Sequence, residues 1–184
     1  MRGKHGLDAT DIRILSAVQK HGQLSKTQLA ELVNLSPTPC WERLTRLKAA
    51  GFIRGYRADI ALELIADFTR VVVMVSLTQH RKADFDRFEA HIRGIDAITH
   101  CVATGGGIDY VLTVHVPGLV AFQVLMDDLL AAEIGIQRYY TYIATRLVKN
   151  GYPDLASLAA RSARPVSGHG VATRPTPGPA TENQ

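Results

Sequence analysis

The stretch Ser25-Lys26-Thr27-Gln28-Leu29-Ala30-Glu31-Leu32-Val33-Asn34-Leu35-Ser36-Pro37-Thr38-Pro39-Cys40-Trp41-Glu42-Arg43-Leu44-Thr45-Arg46-Leu47-Lys48-Ala49-Ala50-Gly51 decides the fold of the first part of the chain. Ser25 and Gln28 stand at capping-box spacing, with Leu24 and Leu29 at staple spacing, so a helix starts after Ser25. Leu29, Leu32 and Val33 are its expected inward residues, and it ends near Asn34-Leu35. Pro37 and Pro39 would break a helix interior. They fit a first turn, where the N–H groups have no intrahelical partner. Ser36 is therefore the expected cap of a second helix, which runs to about Ala50 and stops at Gly51. Two helices joined by so short a turn form a helix-turn-helix, and the second one enters the DNA major groove by its N-terminal part.

The phase of this second helix separates its faces. Cys40, Leu44 and Leu47 fall in one arc and face inward; Cys40 reads as a core residue. Thr38, Glu42, Thr45 and Arg46 lie roughly opposite, with Trp41 and Lys48 beside them and Ser36 and Pro39 at the entry. Hydroxyls, a carboxylate and a guanidinium read base edges or hold phosphates, so Ser36, Thr38, Pro39, Trp41, Glu42, Thr45 and Arg46 are the candidate DNA-binding residues. Two readings stay open. Glu42 precedes Arg46 by four residues, which equally suits a solvated ion pair. Trp41 equally suits a patch between domains.

Upstream, Leu7-Asp8-Ala9-Thr10-Asp11-Ile12 starts another helix. Asp8 caps it, Asp11 adds charge favourable to the helix dipole, and Ile12, Leu15 and Val18 are the expected inward stripe. Downstream, Phe52–Ile60 is short and β-prone and carries Arg54 and Arg57. It reads as a small wing on the phosphate backbone, with those arginines as further DNA candidates. Residues 1–60 thus make one domain, and 61–68 a linker.

Residues 69–150 alternate strand and helix. Val71–Leu77 is a β-branched run. Phe85, Phe88 and Ile92 mark a helix. Ile95–Val102 and Ile108–Val116 are strands around the turn Thr104-Gly105-Gly106-Gly107. Phe122, Leu125, Met126 and Leu129 mark a second helix, and Ile136–Val148 is the last strand. The order β-α-β-β-α-β is ferredoxin-like. The whole chain is therefore α+β, a winged helix-turn-helix followed by a ferredoxin-like domain. Several strands are apolar on both faces although helices cover only one. That predicts a homodimer over the open face.

The glycine turn offers backbone N–H groups for a carboxylate, and Asp109 a carboxylate for an ammonium. An amino acid carries both groups; a flexible turn capped by Asp109 is the alternative. The turn lacks the Lys-Ser/Thr and helix of a phosphate loop, and it is no dinucleotide fingerprint. His80, His91, His100 and His115 show no metal-ligand spacing. His100 and Cys101 are strand neighbours on opposite faces, which argues against a nucleophilic pair. No carboxylate pair reads as an acid/base couple. No cofactor is expected.

Charge supports the division. The net charge of +4 over 184 residues splits into +5 for residues 1–60, −3 for 61–160 and +2 for 161–184. A basic head on an acidic body suits a head on DNA. With Cys40 and Cys101 as its two cysteines and no secretory leader pattern, the chain is expected in the cytoplasm. It has no apolar run long enough for a membrane helix. Residues 151–184, rich in Pro and Ala, are expected to be a disordered tail, within which Tyr152–Ala160 can also form a short helix.

These residues resemble the Lrp/AsnC ("feast/famine") family of transcriptional regulators, from about Leu7 to Asn150. Leu7–Leu15 is similar to the family's opening helix. Leu35–Cys40 with Arg43, Leu47 and Gly51-Phe52-Ile53 is similar to its recognition helix and wing. Thr104–Leu112 resembles the effector signature, and Tyr139–Lys149 the last strand. The resemblance implies promoter DNA as partner, no enzymatic activity, and dimers that assemble further into octamers. It also implies an amino acid or derivative as effector, bound by Thr104, Gly105, Gly106, Gly107, Asp109 and Tyr110, with Thr141 and Thr145 as further candidates. Three residues separate Thr104-Gly105 from Asp109-Tyr110, one more than in the commonest family form. The chain also resembles the branch found with ectoine catabolism. Sirohaem decarboxylases share the two-domain plan and provide the alternative reading, an enzyme.

Overall fold

Asp8 and Ser25 start the first two helices by the same device. α1 (Ala9–His21) begins where the Asp8 carboxylate accepts the Asp11 N–H at 2.7 Å, while Asp11 accepts the Asp8 N–H in return. α2 (Lys26–Leu32) begins with the reciprocal pair Ser25 and Gln28. Each pair satisfies two donors that the helix start leaves open. α3 (Pro37–Ala49) starts at Ser36 with proline in its first turn, and the Ser36 hydroxyl makes no cap bond. Gly51, at φ 77°, closes α3 in the left-handed region that glycine enters without strain.

The computed structural model describes residues 6–163. They divide into two units, one of residues up to Ala58 together with those from Gly151 on, the other of Asp59–Asn150. In the first, Ile14, Leu15, Val18, Leu29, Ala30, Val33, Cys40, Leu44 and Leu47 form the core. Two expected inward residues are displaced. Ile12 is half-buried and Ile14 takes the core position. Leu32 is 51% exposed and Ala30 is buried instead. The segment read as the wing, residues 53–60, contains no strand, and Ile53 and Tyr56 hold it by packing on the helical core. The expected tail begins with regular structure. α6 (Leu155–Ala163) starts at Asp154, whose carboxylate accepts the Ala156 N–H and the Ser157 hydroxyl, and Leu155 packs on the same core. The remainder of that tail, from 164, lies outside the described residues.

The second unit follows the predicted order. Its elements are β1 (Thr69–Leu77), α4 (Lys82–Ile92), β2 (Ile98–Ala103), β3 (Tyr110–Val116), α5 (Leu119–Ala131) and β4 (Ile136–Ile143). The sheet is antiparallel, ordered β2-β3-β1-β4. Strand alternation sorts the faces. Val71, Val73, Val75 and Leu77 of β1, with Tyr110, Leu112, Val114 and Val116 of β3, bury against Phe88 and Ile92 of α4 and Phe122, Met126 and Leu129 of α5. β4 ends at Ile143, five residues short of the expected Val148. Ile143 pairs with Val71 near the start of β1, and after the Ala144 N–H donates to the Arg70 carbonyl no strand remains opposite. β2 starts at Ile98 rather than Ile95, because the Ile98 N–H turns back to the Ile95 carbonyl.

Candidate functional site

α3 presents the face that its phase predicts. Cys40, Leu44 and Leu47 are buried, while Ser36, Thr38, Pro39, Trp41, Glu42, Thr45 and Arg46 are exposed. Burial pushes the Cys40 thiol up, which keeps it protonated. The Thr45 hydroxyl donates to the Trp41 carbonyl at 2.9 Å, so its donor is engaged within the helix. Lys48 Nζ lies 5.7 Å from the Trp41 ring centroid and 5.0 Å from that of Tyr56, a cation held between two aromatic faces. Arg54 and Arg57 are exposed on the segment that follows.

The arginines of α3 were the part least visible in the sequence. Arg46 pairs with Asp11 of α1 at 2.7 Å, and not with Glu42. Arg43 bridges Asp8 at 2.6 Å and Asp11 at 2.9 Å. The Asp11 N–H and the Arg43 guanidinium hold the Asp8 carboxyl below the usual carboxylate range. In the sequence Asp11 read as a first-turn charge. The available signal was a carboxylate one turn into α1 facing two arginines three residues apart on α3.

In the second unit, the glycine turn joins β2 to β3. Gly105, Gly106 and Gly107 are exposed, with open space where a side chain would begin. Gly106 has φ 127°, a conformation suited to glycine. The Thr104 N–H donates to the Asp109 carbonyl at 2.8 Å and its hydroxyl donates to the Ile108 carbonyl, which closes the turn. The Asp109 N–H donates to Val75 at 3.0 Å, and its carboxylate accepts the Leu77 N–H at 2.7 Å and lies 3.0 Å from His80 Nε2. Asp109 is thus fastened to the end of β1 as well as standing beside the glycines.

The other effector candidates separate. Tyr110 is 2% exposed and points into the core, with its ring 4.5 Å from that of Phe88 and its hydroxyl donating to Glu89 at 3.1 Å. Burial and that bond push the phenol up to about 12. Thr141 faces the helices opposite Val73. Thr145 lies past the end of β4, next to the residue bonded to Arg70 and so near the opposite end of β1 from the turn. The structure therefore brings Thr104, the three glycines and Asp109 together and leaves Tyr110 beneath them, with Thr145 apart.

The face of the sheet away from the helices carries Val72, Met74, Val111, Val102, Tyr140 and Tyr142. At its edge Arg70 Nε donates to His115 Nε2 at 2.9 Å, and Thr99 stands 3.1 Å from His115 Nδ1. Burial draws the imidazole of His115 below its usual range, with Arg70 and His100 adding to it. Among the described residues, no group of three His, Cys, Asp or Glu side chains has a geometry that fits a metal ion.

Known proteins match along the same division. A model of winged helix-turn-helix DNA-binding domains matches residues 7–54, and one of the Lrp/AsnC ligand-binding domain matches residues 70–154. The transcriptional regulatory protein DoeX of Halomonas elongata is 41% identical over 143 residues, covering 78% of this chain and 90% of that protein. The leucine-responsive regulatory protein of Haemophilus influenzae is 36% identical, covering 78% and 86%. A transcriptional regulator of Neisseria meningitidis, solved as a complex with L-methionine, superposes with a TM-score of 0.73 at 32% identity, covering 79% and 94%. An AsnC family regulator of Agrobacterium tumefaciens gives 0.74 at 26% identity, covering 80% and 97%.

Proposed function

The chain belongs to the Lrp/AsnC family of DNA-binding transcription regulators, and from that premise we propose how its two units divide the work. α3 enters the major groove of promoter DNA. Ser36, Thr38, Pro39, Trp41, Glu42, Thr45 and Arg46 face base edges and phosphates, and Arg54 and Arg57 hold the backbone. The observation that carries this is the outward row of polar side chains on α3 over a packed inner row of Cys40, Leu44 and Leu47.

The exposed glycine turn takes an amino acid or a related small metabolite. Gly105, Gly106 and Gly107 offer N–H groups to its carboxylate, and Thr104 and Asp109 line the approach. The methionine bound by the Neisseria relative supports that ligand class. Thr141, Thr145 and Tyr110 are the weaker members of the set on the geometry above. The protein works in the cytoplasm as a homodimer over the apolar sheet face, and dimers associate further up to octamers. It has no enzymatic activity. No helix among the described residues is long and apolar enough to cross a membrane, and DNA and a small effector are its partners.

Effector binding changes DNA affinity only through different affinities for two states of the assembly. The test is a mobility shift on the protein's own upstream DNA, with a panel of amino acids and ectoine breakdown products. Retardation that one compound alters supports the reading. Equal binding to unrelated DNA, with or without every compound, overturns it.

A further inference from the structure

We infer that Asp11 is a positioning residue for DNA recognition: from α1 it sets the guanidinium of Arg46 on α3, and thereby the sequence that α3 prefers. This rests on the regulator reading, which puts α3 in the groove.

Asp11 is 1% exposed. A carboxylate so buried keeps its charge only with charged or hydrogen-bonding partners. Its partners are two arginines of the recognition helix, and they are held differently. Arg43 Nη1 is shared between Asp8 at 2.6 Å and Asp11 at 2.9 Å, and its side chain is 35% exposed. Both acids come from the start of α1, so Arg43 ties α3 to α1. Arg46 gives Nη2 alone, 2.7 Å from each Asp11 oxygen, and its side chain is 61% exposed. Its Nε and Nη1 have no protein acceptor among the described residues.

A guanidinium is a planar fork, so fixing one nitrogen orients the others. Arg46 therefore meets DNA in one pose, with its rotamers already restricted and donors left for a base edge or one particular phosphate. An unheld Arg46 would turn to whichever phosphate is near, which adds affinity without sequence preference. The Asp11 charge also lies under α3, where it opposes indiscriminate attraction to phosphate. Both effects act in the same direction. Asp11 raises binding to the right sequence relative to any other.

The experiment uses the full-length chain and two duplexes of equal length, one enriched from a random library by the wild-type protein and one scrambled. The readout is the ratio of the two affinities for each protein sample, so an inactive fraction cancels. Asp11→Asn keeps the shape and an acceptor for the Asp8 N–H. We expect it to lower affinity for the enriched duplex about tenfold, on the scale of one lost base contact. Affinity for the scrambled duplex should hold or rise. In an Arg46→Ala background, adding Asp11→Asn should change the ratio less than about twofold, since the two residues act as one unit. Equal losses on both duplexes, or additive effects in the double variant, would show a merely structural Asp11 and overturn the inference. If the wild type enriches no sequence, the regulator reading itself fails and this role falls with it.

Discussion

Asp109 Oδ2 lies 2.7 Å from the backbone nitrogen of Leu77, so the residue that follows the glycine turn is stitched to the end of β1. Leu77 is buried, and an N–H there has no access to water. Asp109→Ala leaves that donor unpaired and should cost roughly 1–3 kcal/mol. Asp109→Asn keeps an acceptor and should cost distinctly less. Urea unfolding of the two variants compares them directly. Equal losses would contradict the stitch.

The three glycines should differ. Gly106 sits at φ 127°, so Gly106→Ala adds backbone strain of about 1–3 kcal/mol although the space beside it is open. Gly105→Ala and Gly107→Ala meet neither clash nor positive φ and should fold like the wild type. If the turn holds the effector by its N–H groups, all three reduce the ligand response, but only Gly106→Ala moves the unfolding midpoint. Thermal unfolding beside ligand titration separates the two effects.

His115 should make stability fall on the acid side. Arg70 Nε donates to His115 Nε2, and that bond requires the nitrogen to be unprotonated. The folded-state value lies below the ordinary 6.5, so the unfolded chain takes up the proton first. The stabilisation is full above 6.5 and is lost as the pH falls through 6.5 and on through the lower folded value. Denaturant midpoints measured against pH should show a fall that His115→Gln flattens. An unchanged profile would remove His115 from the account.

The open sheet face should set association. Val72 and Val111 are half-buried at its centre, with Tyr140 and Tyr142 exposed beside them. Val72→Asp puts a charge where a partner sheet must pack. Association should weaken by a few kcal/mol, roughly 100-fold or more. Sedimentation over a concentration series detects it, and an unchanged mass at every concentration would place the dimer contact elsewhere.

Local signals carried much of the fold. The two capping boxes, the first-turn proline and the closing Gly51 are short-range chemistry, and each helix of the head begins where it was read. β1 and β3 read as apolar on both faces, and the packing of α4 and α5 decides which of the two is buried. The misses share one cause, since they depend on where a neighbouring element lies. Successive helix positions turn by about 100°. On α2, Ala30 and Leu32 therefore fall on opposite sides of the Leu29–Val33 line, and the sequence cannot say on which side the packing partner sits. On α1, Ile14 and Asp11 share the arc of Leu15 and Val18, while Ile12 falls outside it. A buried carboxylate adds nothing to an apolar periodicity, so the hold of Asp11 on Arg43 and Arg46 was marked only by its place on the buried arc of α1. β4 ended early because its length is set by β1. In the candidate effector site, Thr104, the glycines and Asp109 are contiguous in sequence and were legible together. The separation of Thr145 follows from which end of β1 its segment reaches, a property of sheet register.

The most direct test of the whole account is the binding of the full-length protein to a fluorescent duplex enriched by it, followed by anisotropy at about 150 mM salt with and without each amino acid of a panel. The account predicts half-saturation at tens of nanomolar or below, about a thousandfold or more tighter than on scrambled DNA. It also predicts that one compound shifts the midpoint about fivefold or more, and that Asp109→Ala abolishes the shift. Equal affinity for enriched and scrambled DNA, unmoved by every compound, would contradict it.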